Sequence, residues 1–266
     1  MPALTALFQL SLIVSAIAQS GPVGPTSATG LRAQEVEKAR LSACIALIET
    51  DPVAAYEEGL TWSYEGARPG ARQCTALALI GLGKPLEGAM RLEALAAAAD
   101  AGDLAKRSDL LAQAGAAYLI GGAGEASLAA LDAALNLTPP EERARIVALQ
   151  ADKGRALLLL GRAEEAETAL TLALDGGDNR AETWRNRARA YLALNNLTEA
   201  AYDANEALVL EPDNIEGLVL RGDVIEARRL AGLRPSPDTP EDGTQVERIM
   251  PAAPFTPPPV LKPSDN

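Results

Sequence analysis

From Gln34 to Gly232 the chain alternates short apolar runs at helical spacing with breaks made of Gly, Pro, Asn and Asp. EKARLSACIALIET (37–50) is apolar on one stripe and ends at Asp51-Pro52, a proline suited to a first helical turn. VAAYEEGLTWSYEG (53–66) predicts a second helix, stopped by Gly66 and Arg68-Pro69-Gly70. RQCTALALIGLG and PLEGAMRLEALAAAA predict a second helical hairpin in 69–102, and 107–140 a third that breaks at Pro139-Pro140. EERARIV then extends the first helix of a fourth pair, 147–180. A fifth pair fills 181–214, and IEGLVLRGDVIEARRLAG (215–232) supplies one further helix. Before this region, residues 19–33 read as a flexible linker, and after Arg234 the periodicity stops.

The period is clearest in AETWRNRARAYLALNNLTEAAYDANEALVLEPDN (181–214), with Trp184 fourth, Ala188 eighth, Tyr191 eleventh, Ala200 twentieth and Ala207 twenty-seventh, before Pro212. This segment resembles the tetratricopeptide repeat (TPR) family, whose repeat has the same length. The resemblance is close for 181–214, good for 147–180 and fainter upstream, and spans about three quarters of the chain. At the close-approach places it puts Gly88 in the second unit, Ala114 and Ala126 in the third, and Gly154 and Ala166 in the fourth. It implies an all-α, right-handed solenoid of about five stacked hairpins over 34–232, with the last helix as a cap. Each hairpin leaves an apolar stripe that its neighbours must bury. It also implies a protein-binding scaffold rather than a catalyst.

Composition narrows the function further. The net charge is −12, which argues against nucleic acid, because binding there needs a cationic footprint. The chain has no histidine, so His-activated Ser or Cys chemistry is excluded and the commonest zinc ligand is missing. No cofactor or metal is expected. Residues 1–18 carry no charged side chain and end in Ala16-Ile17-Ala18, the pattern of an export signal cleaved before Gln19. The n-region lacks Lys and Arg, and a mispredicted start is the alternative. At this length the segment is too short for a stable span, so a periplasmic protein without stable membrane insertion is expected. Under the repeat alignment Cys44 and Cys74 fall one turn apart on adjacent first helices, where an oxidising compartment favours a bridge. Two buried thiols are the alternative.

Lys153, Arg187 and Arg221 recur at the seventh repeat place. They read either as a ligand track or, for Arg187 with Asp203, as a tie between the two helices of a hairpin. The family's concave positions select Asp152, Arg155, Glu182, Arg185, Asn186, Arg189, Leu192, Asp223 and Glu226. Arg155, Arg185 and Arg189 with Asn186 form a candidate site for a protein or peptide, in particular an acidic one. The competing reading is a solvated face neutralised by Glu182 and Asp152. Gly81-Leu82-Gly83-Lys84 lacks the strand and hydroxyl of a phosphate loop and reads as an interhelix turn. Glu57-Glu58, Glu141-Glu142 and Glu164-Glu165 sit at helix starts or on polar faces, which gives them no catalytic role. The tail, 233–266, is rich in proline and reads as disordered. Its PPPVLKP stretch offers a P-x-x-P docking motif as the alternative. The function expected is a scaffold with a concave groove; a dedicated accessory subunit of a cell-envelope machine is the other reading.

Overall fold

The computed structural model describes residues 28–66 and 68–232, with side chains from Gln34 onward. The export-signal reading of 1–18 and the tail reading of 233–266 lie outside the described residues. Among those described, the chain forms eleven helices and no strand. They are α1 (Ala28–Thr50), α2 (Pro52–Tyr64), α3 (Pro69–Gly81), α4 (Pro85–Ala97), α5 (Leu104–Ile120) and α6 (Gly124–Leu137). The series continues with α7 (Arg143–Leu159), α8 (Ala163–Asp175), α9 (Ala181–Ala193), α10 (Leu197–Leu210) and α11 (Ile215–Leu230). The first helix starts six residues before Gln34, so 28–33 is helical rather than part of a linker. None of the described helices is long and apolar enough to cross a membrane.

Local signals explain the boundaries. Proline stands in the first turn of α2, α3 and α4, where its missing N–H costs nothing. The side chains of Asp51, Asp103 and Asn214 cap α2, α5 and α11 by accepting from the N–H groups of Ala54, Lys106 and Gly217. Four hairpins turn through a residue of positive φ at one register point: Gly83, Gly122, Gly161 and Asn195. In each, the next N–H reaches back to a carbonyl five residues earlier, as in Lys84 to Leu79 and Asn196 to Tyr191.

Those turns fix the repeat frame. The first three are spaced by 39 residues and the last by 34. The longer spacing accompanies two 17-residue helices, α5 and α7, against 13 in α3 and α9. In this frame the third unit begins at Ser108, one residue later than its sequence suggests. The close-approach residues there are Gly115 and Ser127, not Ala114 and Ala126. Ser127 Oγ donates to the Gly115 carbonyl at 2.9 Å, and a Cβ on Gly115 would stand 2.6 Å from Leu131 Cγ. Leucine can lie over this helix only because the facing residue has no side chain.

Successive first helices touch one another (α1 with α3, α5 with α7, α7 with α9, α9 with α11), and second helices make no comparable contacts. The first helices therefore form the inner wall and the second helices fan out behind them. The interior is built from alanine and leucine, with Leu92, Leu110, Leu131, Leu157 and Leu170 fully buried. Small residues let the helices approach closely.

The first hairpin is tied twice. Arg40 on α1 bonds Glu58 of α2 and Glu65 just beyond its end, and lies 4.9 Å over the buried Trp62 ring. A disulfide joins Cys44 of α1 to Cys74 of α3, with Cα atoms 6.0 Å apart.

Candidate binding groove

The inner wall is lined by the residues at the fifth, sixth and ninth places of the repeat, such as Arg185, Asn186 and Arg189 on α9. Along α7, α9 and α11 these places bring the sequence-selected cations together, but every one meets an acid of the same chain. Arg155 Nη1 donates to Asp152 Oδ1, and its Nε lies 3.1 Å from Glu182 Oε1. Arg185 Nη1 donates to Glu211 Oε2 at 2.6 Å, and Asn214 fixes that same oxygen from the other side at 2.9 Å. Arg189 donates to Asn186 Oδ1 at 2.9 Å and to Glu216 Oε2 at 3.2 Å. The face is a ladder of alternating charges rather than a free basic patch. Burial pushes the Asp152 carboxyl up, opposed by Arg155 and Arg180.

Accessibility separates the three arginines. The Arg185 side chain is 8% exposed, with its Nε buried and without a partner. The Arg189 side chain is 40% exposed and its partner Glu216 70%. Arg189 also borders a shallow hollow between α9 and α11 that is lined by Leu192, Ile215, Val219 and the buried Leu220 together with Glu216 and Asp223. The site thus offers an apolar seat beside one exchangeable guanidinium.

The cations at the seventh place do not form a track. Arg187 makes paired bonds to Asp203 of α10, Nε to Oδ2 at 2.7 Å and Nη2 to Oδ1 at 3.0 Å. It also lies over the Trp184 and Tyr191 rings at 5.1 and 5.6 Å. Lys153 turns instead to Asp132 of α6 at 2.6 Å. These are ties within the scaffold.

A second polar group on the inner wall escapes a reading of single repeats. Lys106 Nζ donates to Gln73 Oε1 at 2.7 Å, and Gln73 Nε2 donates to Gln113 Oε1 at 2.8 Å. Both glutamines are buried. Burial holds the Lys106 ammonium below its ordinary pKa, against the pull of Asp109, Glu37 and Asp103. Beside it Arg145 lies 2.9 Å from the buried Asp109 and donates to the Ala105 carbonyl. With the third unit framed from 107, Gln113 falls at a seventh place; framed from 108, it falls at the sixth, facing inward. That shift is the signal that would have found it.

The glutamate pairs show no shared buried site: Glu58 bonds Arg40, Glu165 bonds Arg162, and Glu142 meets Arg145. Among the described residues, no group of His, Cys, Asp and Glu is arranged to hold a metal ion. The wall can hydrogen-bond, pair charge and seat apolar side chains, which is the chemistry of binding.

Residues 181–214 match the family model described as tetratricopeptide repeat. The fold is a TPR solenoid. A thermophilic TPR protein of Thermus thermophilus shares it, with 24% identity over 72% of this chain and 98% of its own, at a TM-score of 0.50. The first TPR domain of human RPAP3 aligns at 23% identity over 47% of this chain and 93% of its own, with a TM-score of 0.42. The TPR2AB domain of yeast Sti1, solved as a complex with pHSP90, aligns at 18% over 76% and 87%, with a TM-score of 0.34. No match is found among curated proteins.

Proposed function

We propose that this chain is a non-catalytic scaffold of the periplasm that holds a protein segment along its concave face. The TPR fold favours a protein-binding role, because stacked hairpins present a preorganised surface and so lose little entropy on binding. The observation that carries the reading is the apolar hollow of Leu192, Ile215 and Val219 beside Arg189. The ligand that fits it places an apolar side chain in the hollow and a carboxylate on Arg189, taking the place of the exposed Glu216. Arg155 and Arg185 hold the wall in shape, since each is already tied to acids of this chain. Export is supported by the signal-like residues 1–18 and by the Cys44–Cys74 bridge.

The test is site-specific photocrosslinking in intact cells, with a photoreactive residue at Val219 in the groove or at Leu172 on the outer face. Adducts form from position 219, weaken when Arg189→Glu is added, and are absent from position 172. Equal adducts from both positions, or adducts from 219 indifferent to Arg189→Glu, would overturn the reading. A dedicated accessory subunit is the second reading, and one observation favours it: the outer side of α11 exposes Leu218 and Ile225.

A further inference from the structure

The helix α11 follows the register of α9 at the 34-residue interval, with Leu218 for Trp184, Gly222 for Ala188 and Ile225 for Tyr191. In the complete hairpins this side of a first helix faces an antiparallel second helix. Trp184 meets Tyr202 of α10 edge-on, and Ala188 is fully buried. At the place of Ala188, Gly115 and Gly154 lie under Leu131 and Leu170 of their second helices, too close for a Cβ. No described helix covers the same side of α11. Leu218 is 41% exposed, Ile225 48% and Ile215 77%, and a Cβ on Gly222 would find no atom within 4 Å. The opposite side, through Gly217, Leu220 and Val224, is buried against the stack.

This open face carries both halves of the contact seen in α5 and α7. Leu218 is a side chain that can overhang, and Gly222, one turn on, is a gap that can receive it. Ile215, Leu218, Gly222 and Ile225 also follow the alternating three- and four-residue spacing of a coiled-coil seam. Two copies laid antiparallel, with a two-fold axis at the level of Leu220, bring Leu218 of each over Gly222 of the other. The same register sets Ile215 of each beside Ile225 of the other, so all four layers are apolar. The face is thus complementary to itself, as a two-fold interface requires. Glycine weakens an exposed helix, and here its lack of a side chain supplies the gap that leucine fills.

We propose that a second copy of this chain covers the face, the two α11 helices packing antiparallel so that each serves as the other's second helix. A helix of 16 residues spans about 24 Å, so the contact is at the small end of specific interfaces, below about 1,200 Å². A dissociation constant on the order of 10 µM fits that size, and the chain is monomeric well below it. Arg221 flanks the seam on both copies near the axis, and each chain carries a net charge of −12. Like charge therefore opposes the pair, and salt tightens it by screening. The inference goes beyond the groove reading, because Leu218, Gly222 and Ile225 do not line the hollow.

The experiment is sedimentation equilibrium of the full chain from about 1 to about 100 µM, spanning the expected dissociation constant. It compares wild type with Gly222→Leu, with Leu218→Ala/Gly222→Leu and with Leu218→Asp/Ile225→Asp, all changed at exposed positions. Amide exchange in α3–α8 checks that each variant keeps its stack. Wild type passes from monomer to dimer over this range, and more readily at about 1 M salt than at about 0.1 M. Leu218→Asp/Ile225→Asp weakens the dimer by about tenfold or more. Gly222→Leu does the same although it makes the face more apolar, because the gap is filled. The double variant Leu218→Ala/Gly222→Leu exchanges overhang and gap and restores the dimer. A chain that stays monomeric to about 100 µM would overturn the proposal and leave the face to a different partner. So would a dimer that Gly222→Leu tightens, since general stickiness would then hold it, or one that salt loosens, since charge pairs would.

Discussion

The hairpin α9–α10 and the helix α11 carry one register with and without a second helix. Where the second helix is present, Arg187 is held between two rings and a buried carboxylate, and Ala188 is sealed. Where it is absent from the described residues, Arg221 takes the place of Arg187, Gly222 that of Ala188, and the apolar side chains are open. The comparison shows that a first helix in this chain supplies two faces. One joins it to the preceding hairpin, and the other has meaning only with a partner.

The largest expected effect breaks the closed case. Asp203 is 1% exposed, and Asp203→Ala strands the Arg187 guanidinium, a loss of about 3 kcal/mol. Arg221→Ala, at the matching place on α11, changes stability by no more than about 0.5 kcal/mol. Chemical denaturation of the two variants reads the difference, and similar losses would show that α11 is as enclosed as α9.

The opposite end of the stack tests whether closure there is covalent. Cys44→Ser/Cys74→Ser removes a bridge across 30 residues and lowers stability by about 2–4 kcal/mol, because the unfolded chain regains that freedom. The loss is expected to concentrate in α1–α3, with faster amide exchange there and unchanged exchange in α7–α10. The Arg40 contacts to Glu58 and Glu65 are partly or fully solvent-exposed and do not substitute for the bridge.

How far the sequence foretold this follows the strength of its local signals. Trp184, Ala188 and Tyr191 are legible because a large, a small and an aromatic residue recur at fixed offsets. In the third unit the run Ala114-Gly115-Ala116-Ala117 offers four small residues for one close-approach place. Only the approach of Leu131 selects Gly115, and Tyr118 at the eleventh place agrees with it. The groove cations were legible by position. The acids Asp152 and Glu182 beside Arg155 were legible as well; the partners of Arg185 and Arg189 were not, because Glu211 and Glu216 come from the next turn and helix and depend on how the units stack. The Gln73–Gln113 bond joins residues 40 apart, a pairing set by superhelical geometry rather than by any short motif. The bridge of Cys44 and Cys74 was reachable because repeat positions already place adjacent first helices side by side.

The central structural claim is that one register place is closed in the hairpins and open on α11. The most direct measurement is the paired thermal unfolding of Gly115→Ala and Gly222→Ala in the full chain. At Gly115 the new Cβ must displace Leu131, costing about 1–3 kcal/mol. At Gly222 it enters open space, and the better helix former adds up to about 1 kcal/mol. Ala76 and Ala188 hold this place elsewhere in the stack, so the register accepts alanine. A lowered melting temperature for Gly115→Ala with an unchanged or raised one for Gly222→Ala is the predicted result. Equal losses at the two glycines would contradict the account.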